Sequence, residues 1–146
     1  MKLSWRGVSL PLCTIFLLTL ARAGHAAALE VIVGGVADDA GHVLVAVCTE
    51  ETFLGADCPH TARAPAARGA VAVRVPDVPP GTYAVQAFHD ANDNLDIDRS
   101  LLGLPTEGMG FSNDAPMRFG PPRYDDAAIE IDGSDTSISF TLRYFD

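Results

Sequence analysis

The stretch Thr136-Ser137-Ile138-Ser139-Phe140-Thr141-Leu142-Arg143-Tyr144 places Ile138, Phe140, Leu142 and Tyr144 on one side of an extended chain and Ser137, Ser139, Thr141 and Arg143 on the other. Successive side chains of a strand point to opposite faces, so this run has one buried and one wet face. The same period of two recurs upstream. Residues 29–34 align Leu29, Val31 and Val33, and residues 42–49 align Val43, Val45 and Val47. Residues 69–75 align Val71, Val73 and Val75, and after a turn at Pro76-Asp77-Val78-Pro79-Pro80-Gly81 a further strand runs over 82–89. A short strand is predicted at 127–131, and no segment sustains a long amphipathic helix. Six or seven short strands in about 120 residues predict an all-β fold, a single antiparallel β-sandwich in which each sheet hides its apolar face against the other.

Two segments resist the strand pattern. Residues 50–68 hold a cysteine loop and the low-complexity run Ala62-Arg63-Ala64-Pro65-Ala66-Ala67-Arg68, read as an exposed connection or one irregular turn of helix. Residues 90–126 form a long irregular loop rich in Asp, Asn, Gly and Pro. Loops of that length are uncommon in compact domains and often functional, so chemistry is sought there first.

The N-terminus has the layout of a secretory signal: Lys2 and Arg6, an apolar Leu-rich core over 8–20, then small residues. Residues 1–26 are read as a signal peptide, with cleavage between about 23 and 28, and residues 27–146 as one domain. A permanent anchor is disfavoured because the apolar core is shorter than the roughly 20 residues of a spanning helix and is broken by Pro11. Cys13 lies inside that core and goes with the discarded signal. The expectation is a periplasmic or secreted bacterial protein with no transmembrane span after cleavage. The remaining chain has 7 basic against 19 acidic residues, which argues against nucleic acid, whose phosphates require Lys and Arg clusters. Cys48 and Cys58 are the two cysteines left, and an even count in an oxidising compartment predicts a disulfide between them.

The long loop opens His89-Asp90-Ala91-Asn92-Asp93-Asn94-Leu95-Asp96-Ile97-Asp98, so Asp90, Asn92, Asn94, Asp96 and Asp98 place an oxygen at every second position. Asp90, Asn92, Asn94 and Asp98 match positions 1, 3, 5 and 9 of a calcium-binding EF-hand loop. The Gly of position 6 is instead Leu95 and the Glu of position 12 is Leu101, with Glu107 the nearest carboxylate able to substitute if the loop folds back. Two readings stand: a Ca²⁺ site of Asp90, Asn92, Asn94, Asp96, Asp98 and Glu107, or Asx turns capped by their own side chains. His89 continues the apolar face of the strand before it and is expected at the rim of the core. Gly110, Phe111, Ser112 and Asn113 are read as structuring the loop, with the glycine allowing close approach, Phe111 anchoring and the two polar residues capping turns.

The string Pro79-Pro80-Gly81-Thr82-Tyr83-Ala84-Val85, the HDxNxN run from His89 to Asn94, and Gly103-Leu104-Pro105-Thr106-Glu107-Gly108-Met109-Gly110-Phe111-Ser112-Asn113 resemble the bacterial DUF2141 family of exported proteins. The resemblance extends through Pro121-Pro122 and spans about 29–144. The family usually has Gly where this chain has Leu95. The resemblance implies a transthyretin-like or carboxypeptidase-regulatory-like sandwich, of the prealbumin/Ig-like kind, and implies no activity.

Three function classes follow. The first is a non-catalytic binding or accessory module presenting its loop to a protein or glycan at the cell envelope. The second is a small hydrolase using His89, Asp90 and Ser112, although Ser112 lacks the second glycine of a nucleophile elbow. The third is periplasmic copper handling through His89, Met109 and Met117, whose thioethers suit Cu(I).

Overall fold

The structure, a computed structural model, describes residues 27–145; the signal-peptide expectation falls on residues 1–26 and lies outside them. Its strands are β1 (Ala27–Val36), β2 (His42–Cys48), β3 (His60–Pro65), β4 (Gly69–Val78), β5 (Gly81–Asp90), β6 (Met109–Phe111), β7 (Ala128–Ile131) and β8 (Thr136–Thr141). A 3₁₀ turn at Ser112–Asp114 and one short helix, α1 (Tyr124–Ala127), complete it.

Two sheets pack face to face. One has the order β4-β1-β8; the other runs β3-β2-β5-β6, with β7 also pairing on β5. The valine alternation sets the core. Val31 faces Val73 on β4 and Ile138 on β8, while Val33 faces Val71 and Phe140. From the second sheet Val43, Val45, Val47, Val85 and Ala87 fill the same layer. The architecture is the all-β sandwich expected from the period-two runs.

Three details depart from the expectation. The sandwich is not antiparallel throughout, because β8 lies parallel to β1. The irregular segment expected across 50–68 contains edge strand β3, where Ala62 pairs with Val45 and Ala64 with Val43. Its inward residues are alanines packed at the margin of the core, too small to mark an apolar face in an alanine-rich run. The C-terminal strand ends at Thr141 rather than 144, yet Leu142 is buried and Tyr144 packs on the core.

A second, smaller core lies on the outer face of the second sheet. Ala84 and Phe111 are buried there with Ala115 and Ala127, under Phe53, Met117 and Tyr124. Phe53 meets Phe111 and Tyr124 edge to face, at 5.7 and 5.8 Å between ring centroids. Phe53 is carried by the cysteine loop, and Cys48 is bonded to Cys58 across a separation of 10 residues. The disulfide therefore fastens a flap over the outer sheet face.

Candidate functional site

The acidic loop closes on itself through N–H donors. Asp90 is fully buried; its Oδ1 accepts the Asn94 N–H at 3.1 Å and its Oδ2 the Leu95 N–H at 2.9 Å. Glu107, also buried, folds back and accepts from Ala91 N–H at 3.1 Å and Asp98 N–H at 3.2 Å, stapling both ends of the turn. The side-chain amides of Asn92 and Asn94 donate to opposite oxygens of Asp98, at 2.6 and 3.0 Å. Asp96 accepts from Ile97 N–H, Asn94 Oδ1 accepts from Asp96 N–H, and Asp93 pairs with His42 at 2.6 Å. A carboxylate taking two backbone N–H groups has its charge held by local dipoles, which is the chemistry of an Asx turn. Among the described residues no group of three or more His, Cys, Asp or Glu side chains is gathered as a metal site.

His89 points inward, opposite Val43, with 2 % of its surface exposed. Nε2 lies 2.7 Å from the Ala40 carbonyl and Nδ1 3.0 Å from the Tyr144 hydroxyl. A carbonyl only accepts, so Nε2 carries a proton and Nδ1 is left to accept from Tyr144, whose oxygen in turn accepts from Ala37 N–H at 3.0 Å. Burial, the largest influence on the Tyr144 phenol, pushes its pKa up, with Asp38 and Glu107 adding to it and the Ala37 bond opposing.

The residues after β6 pin the middle of β5. Ser112 Oγ accepts from Val85 N–H at 2.9 Å and donates to the Ala127 carbonyl, and Asn113 donates to Ala128 O at 2.9 Å and Asp126 O at 3.3 Å. The two polar side chains thus clamp the helix-to-β7 segment rather than their own turn. Phe111 is 1 % exposed. Gly110 packs so closely under β8 that a Cβ there would lie 2.7 Å from the Thr141 carbonyl, and one on Gly108 would enter the Tyr144 ring.

These positions separate the groups that catalysis would need together. Ser112 sits against Val85, four residues from His89 on the same strand, or about 13 Å at the usual rise, and its hydroxyl is spent on backbone groups. The carboxylate nearest the His89 ring is Asp38, 3.7 Å from Nε2, and Asp90 faces its own turn. Met109 lies opposite Phe88 and belongs to the outer face with Met117, whereas His89 faces inward.

A broad concavity lies over the outer face of the second sheet. Its floor is Leu44 and Ala46 of β2 with Gln86 and Phe88 of β5, the positions that alternate with the core valines. Its walls come from three loops: Leu54 of the cysteine flap, Leu95 to Pro105 of the long loop, and Met117 to Pro121. The cleft encloses about 1250 Å³. Leu95 has φ 63°, a left-handed conformation that strains a residue with a Cβ, and its side chain is 62 % exposed along this wall. Sequence reasoning missed the cleft. The signal was Leu44 and Phe88, apolar residues at outward strand positions, and Leu95 and Leu104, apolar residues inside a polar loop.

Fold and site together define a disulfide-fastened all-β sandwich with a loop-walled outer sheet face. A model of the family described as "Uncharacterized protein conserved in bacteria (DUF2141)" matches residues 31–139, and the chain belongs to that family. No curated protein and no solved structure gave a match.

Proposed function

We propose that this protein is an exported, non-catalytic binding module of the bacterial envelope that holds an apolar ligand group in the cleft over its second sheet. The observation that carries the reading is the apolar concavity itself. Ligand sites are concave, mostly apolar and about 300–1,000 Å³, and outward strand positions such as Leu44 and Phe88 would be polar on a face meant only for water. Export is supported by the signal-like leader and by the Cys48–Cys58 disulfide, a bond that persists in oxidising compartments. Among the described residues no helix is long and apolar enough to cross a membrane. The acidic loop serves as the frame that holds the Leu95 to Pro105 wall in place.

A neutral solvatochromic dye such as Nile red tests the reading. It should bind with one-to-one stoichiometry and a blue shift, and Leu104→Asp with Phe119→Asp, two loop changes outside both cores, should weaken it several-fold without moving the melting point. No saturable binding, or equal binding by the variants, would overturn it.

A second reading, a Ca²⁺ site of Asp90, Asn92, Asn94, Asp96, Asp98 and Glu107, is supported by charge density. Asp90, Asp93, Asp96, Asp98 and Glu107 are five carboxylates within the one loop. Ca²⁺ tolerates an irregular oxygen shell that Mg²⁺ does not. A ligand that binds only the native state raises its melting point by mass action, so Ca²⁺ should raise the midpoint more than Mg²⁺ and a chelator should reverse it. An unchanged midpoint at about 10 mM Ca²⁺, above the millimolar range of extracellular sites, would remove the metal.

A further inference from the structure

Resting on the cleft reading above, we infer that its ligand is an anionic single-chain amphiphile, a long-chain fatty acid, with the acyl chain on the apolar floor and the carboxylate at arginines on the rim. The argument is a local reversal of charge. From residue 27 onward the chain carries 19 acidic and 7 basic residues, and all 7 are arginines. The cleft reverses that ratio, being lined by Arg63, Arg99 and Arg118 against the single acid Asp96. Among the described residues the one ion-paired arginine is Arg123, with Asp125, so none of the three cleft guanidiniums is neutralised by a carboxylate. Arg99 donates one bond to the Gly103 carbonyl, which orders the wall and leaves the rest of its fork available.

The three arginines come from different elements, β3, the long loop and the loop before α1, and they share only the cleft. An acidic protein gains nothing in solubility by collecting its scarce cations around an apolar floor. A guanidinium beside a carboxylate offers a bidentate, charge-assisted pair, and that pair strengthens where water is partly excluded. The apolar side matches an alkyl chain. Leu95, Leu104 and Phe119 line the cleft and stand exposed on its walls, a cost in water that an alkyl chain lying against them would offset. A nucleotide or glycan would need free polar groups on the floor, where Leu44, Ala46 and Phe88 are apolar and the Gln86 amide is bonded to the cysteine flap at Leu54 N–H and Gly55 O.

The test is competition of the purified chain's Nile red complex, below micelle-forming concentrations, by saturated carboxylates of 12, 14 and 16 carbons and by the matched primary alcohols. Carboxylates should displace the dye with affinity rising by up to about fourfold per buried methylene. Each should also bind roughly tenfold or more tightly than its alcohol, a gap that shrinks at high salt. Arg63→Gln with Arg118→Gln should close most of that gap and leave the alcohols unchanged. Arg74→Gln, on the other sheet, should change neither, and all variants should melt with the wild type. If alcohols and acids bind equally, or the cleft arginine variants keep the gap, the anionic ligand is wrong while the apolar cleft stands. If the dye binds but neither class displaces it, the amphiphile inference fails while the apolar cleft stands; if the dye never binds, both readings fail. Binding only to anionic-lipid-free vesicles and not to dispersed fatty acid would replace the cleft ligand with a membrane surface and overturn the inference.

Discussion

Tyr144 links the two ends of the described chain at the level of single atoms. Its hydroxyl accepts from Ala37 N–H and donates to Nδ1 of His89, so a phenolate there would lose the donor that satisfies the imidazole. Burial raises its pKa from the ordinary phenol value. The folded state therefore holds this proton more tightly than the unfolded chain, and stability linked to the group is complete below the unfolded pKa and falls as pH rises through the folded one. Urea midpoints should decline from about pH 9.5 upward, around the ordinary tyrosine value, and the decline should be shallower in Tyr144→Phe even though that variant starts less stable. The same slope in both proteins would show that this phenol does not drive the alkaline limb. Tyr124, whose pKa burial also raises, is left in place by the substitution and explains any residual slope. A related economy governs Asp90 and Glu107: both are buried, and each takes two backbone N–H groups, which is why the turn is ordered around its acids.

The cysteine flap shows how a connection becomes part of the structure. Between β2 and β3 it carries Phe53 onto Phe111 and Tyr124, while the disulfide fixes its ends. Closing a loop of this length stabilises by about 2–3 kcal/mol in the chain-entropy model. Cys48→Ala with Cys58→Ala should therefore lower the unfolding free energy by about that amount, and amide exchange over residues 50–58 should quicken more than exchange in β1 or β4. Equal stability, or uniform quickening, would mean the flap is held by its aromatic contacts alone. The cysteine pair could be read from the sequence because Cys48 and Cys58 are the only two cysteines after residue 26. The strands with valine or isoleucine on one face were equally legible. Strand β3 was not, since its inward side chains are Ala62 and Ala64, nor was β6, whose three residues are too few for a period. The cleft was hidden for another reason: Leu44 and Phe88 become neighbours only through the pairing of β2 with β5, and the walls come from loops far apart in sequence.

The whole molecule is closed by its last strand. Leu29 of β1 lies beside Thr136, so β8 returns across nearly the full described chain to convert β1 from an edge into the centre of its sheet. The same segment reaches the other sheet. Arg143 and Met109 exchange backbone bonds at 2.9 and 3.0 Å, Asp114 accepts from Thr141 N–H at 2.8 Å, and Tyr144 meets His89. Phe140 and Leu142 are buried to within 2 and 4 % of their surface. Losing a buried Phe costs about 3–5 kcal/mol and a buried Leu about 2–5, which together approach the 5–15 kcal/mol that a whole domain typically holds. A chain stopped after Gly133 should therefore not fold cooperatively, giving a featureless melt by circular dichroism and rapid exchange throughout β1. Phe140→Ala in the full chain should keep a cooperative melt with stability lower by about 3–5 kcal/mol. If the shortened chain instead melts sigmoidally near the wild-type midpoint, β1 and β4 form an independent unit, and the parallel pairing with β8 is an addition to the fold rather than its closure.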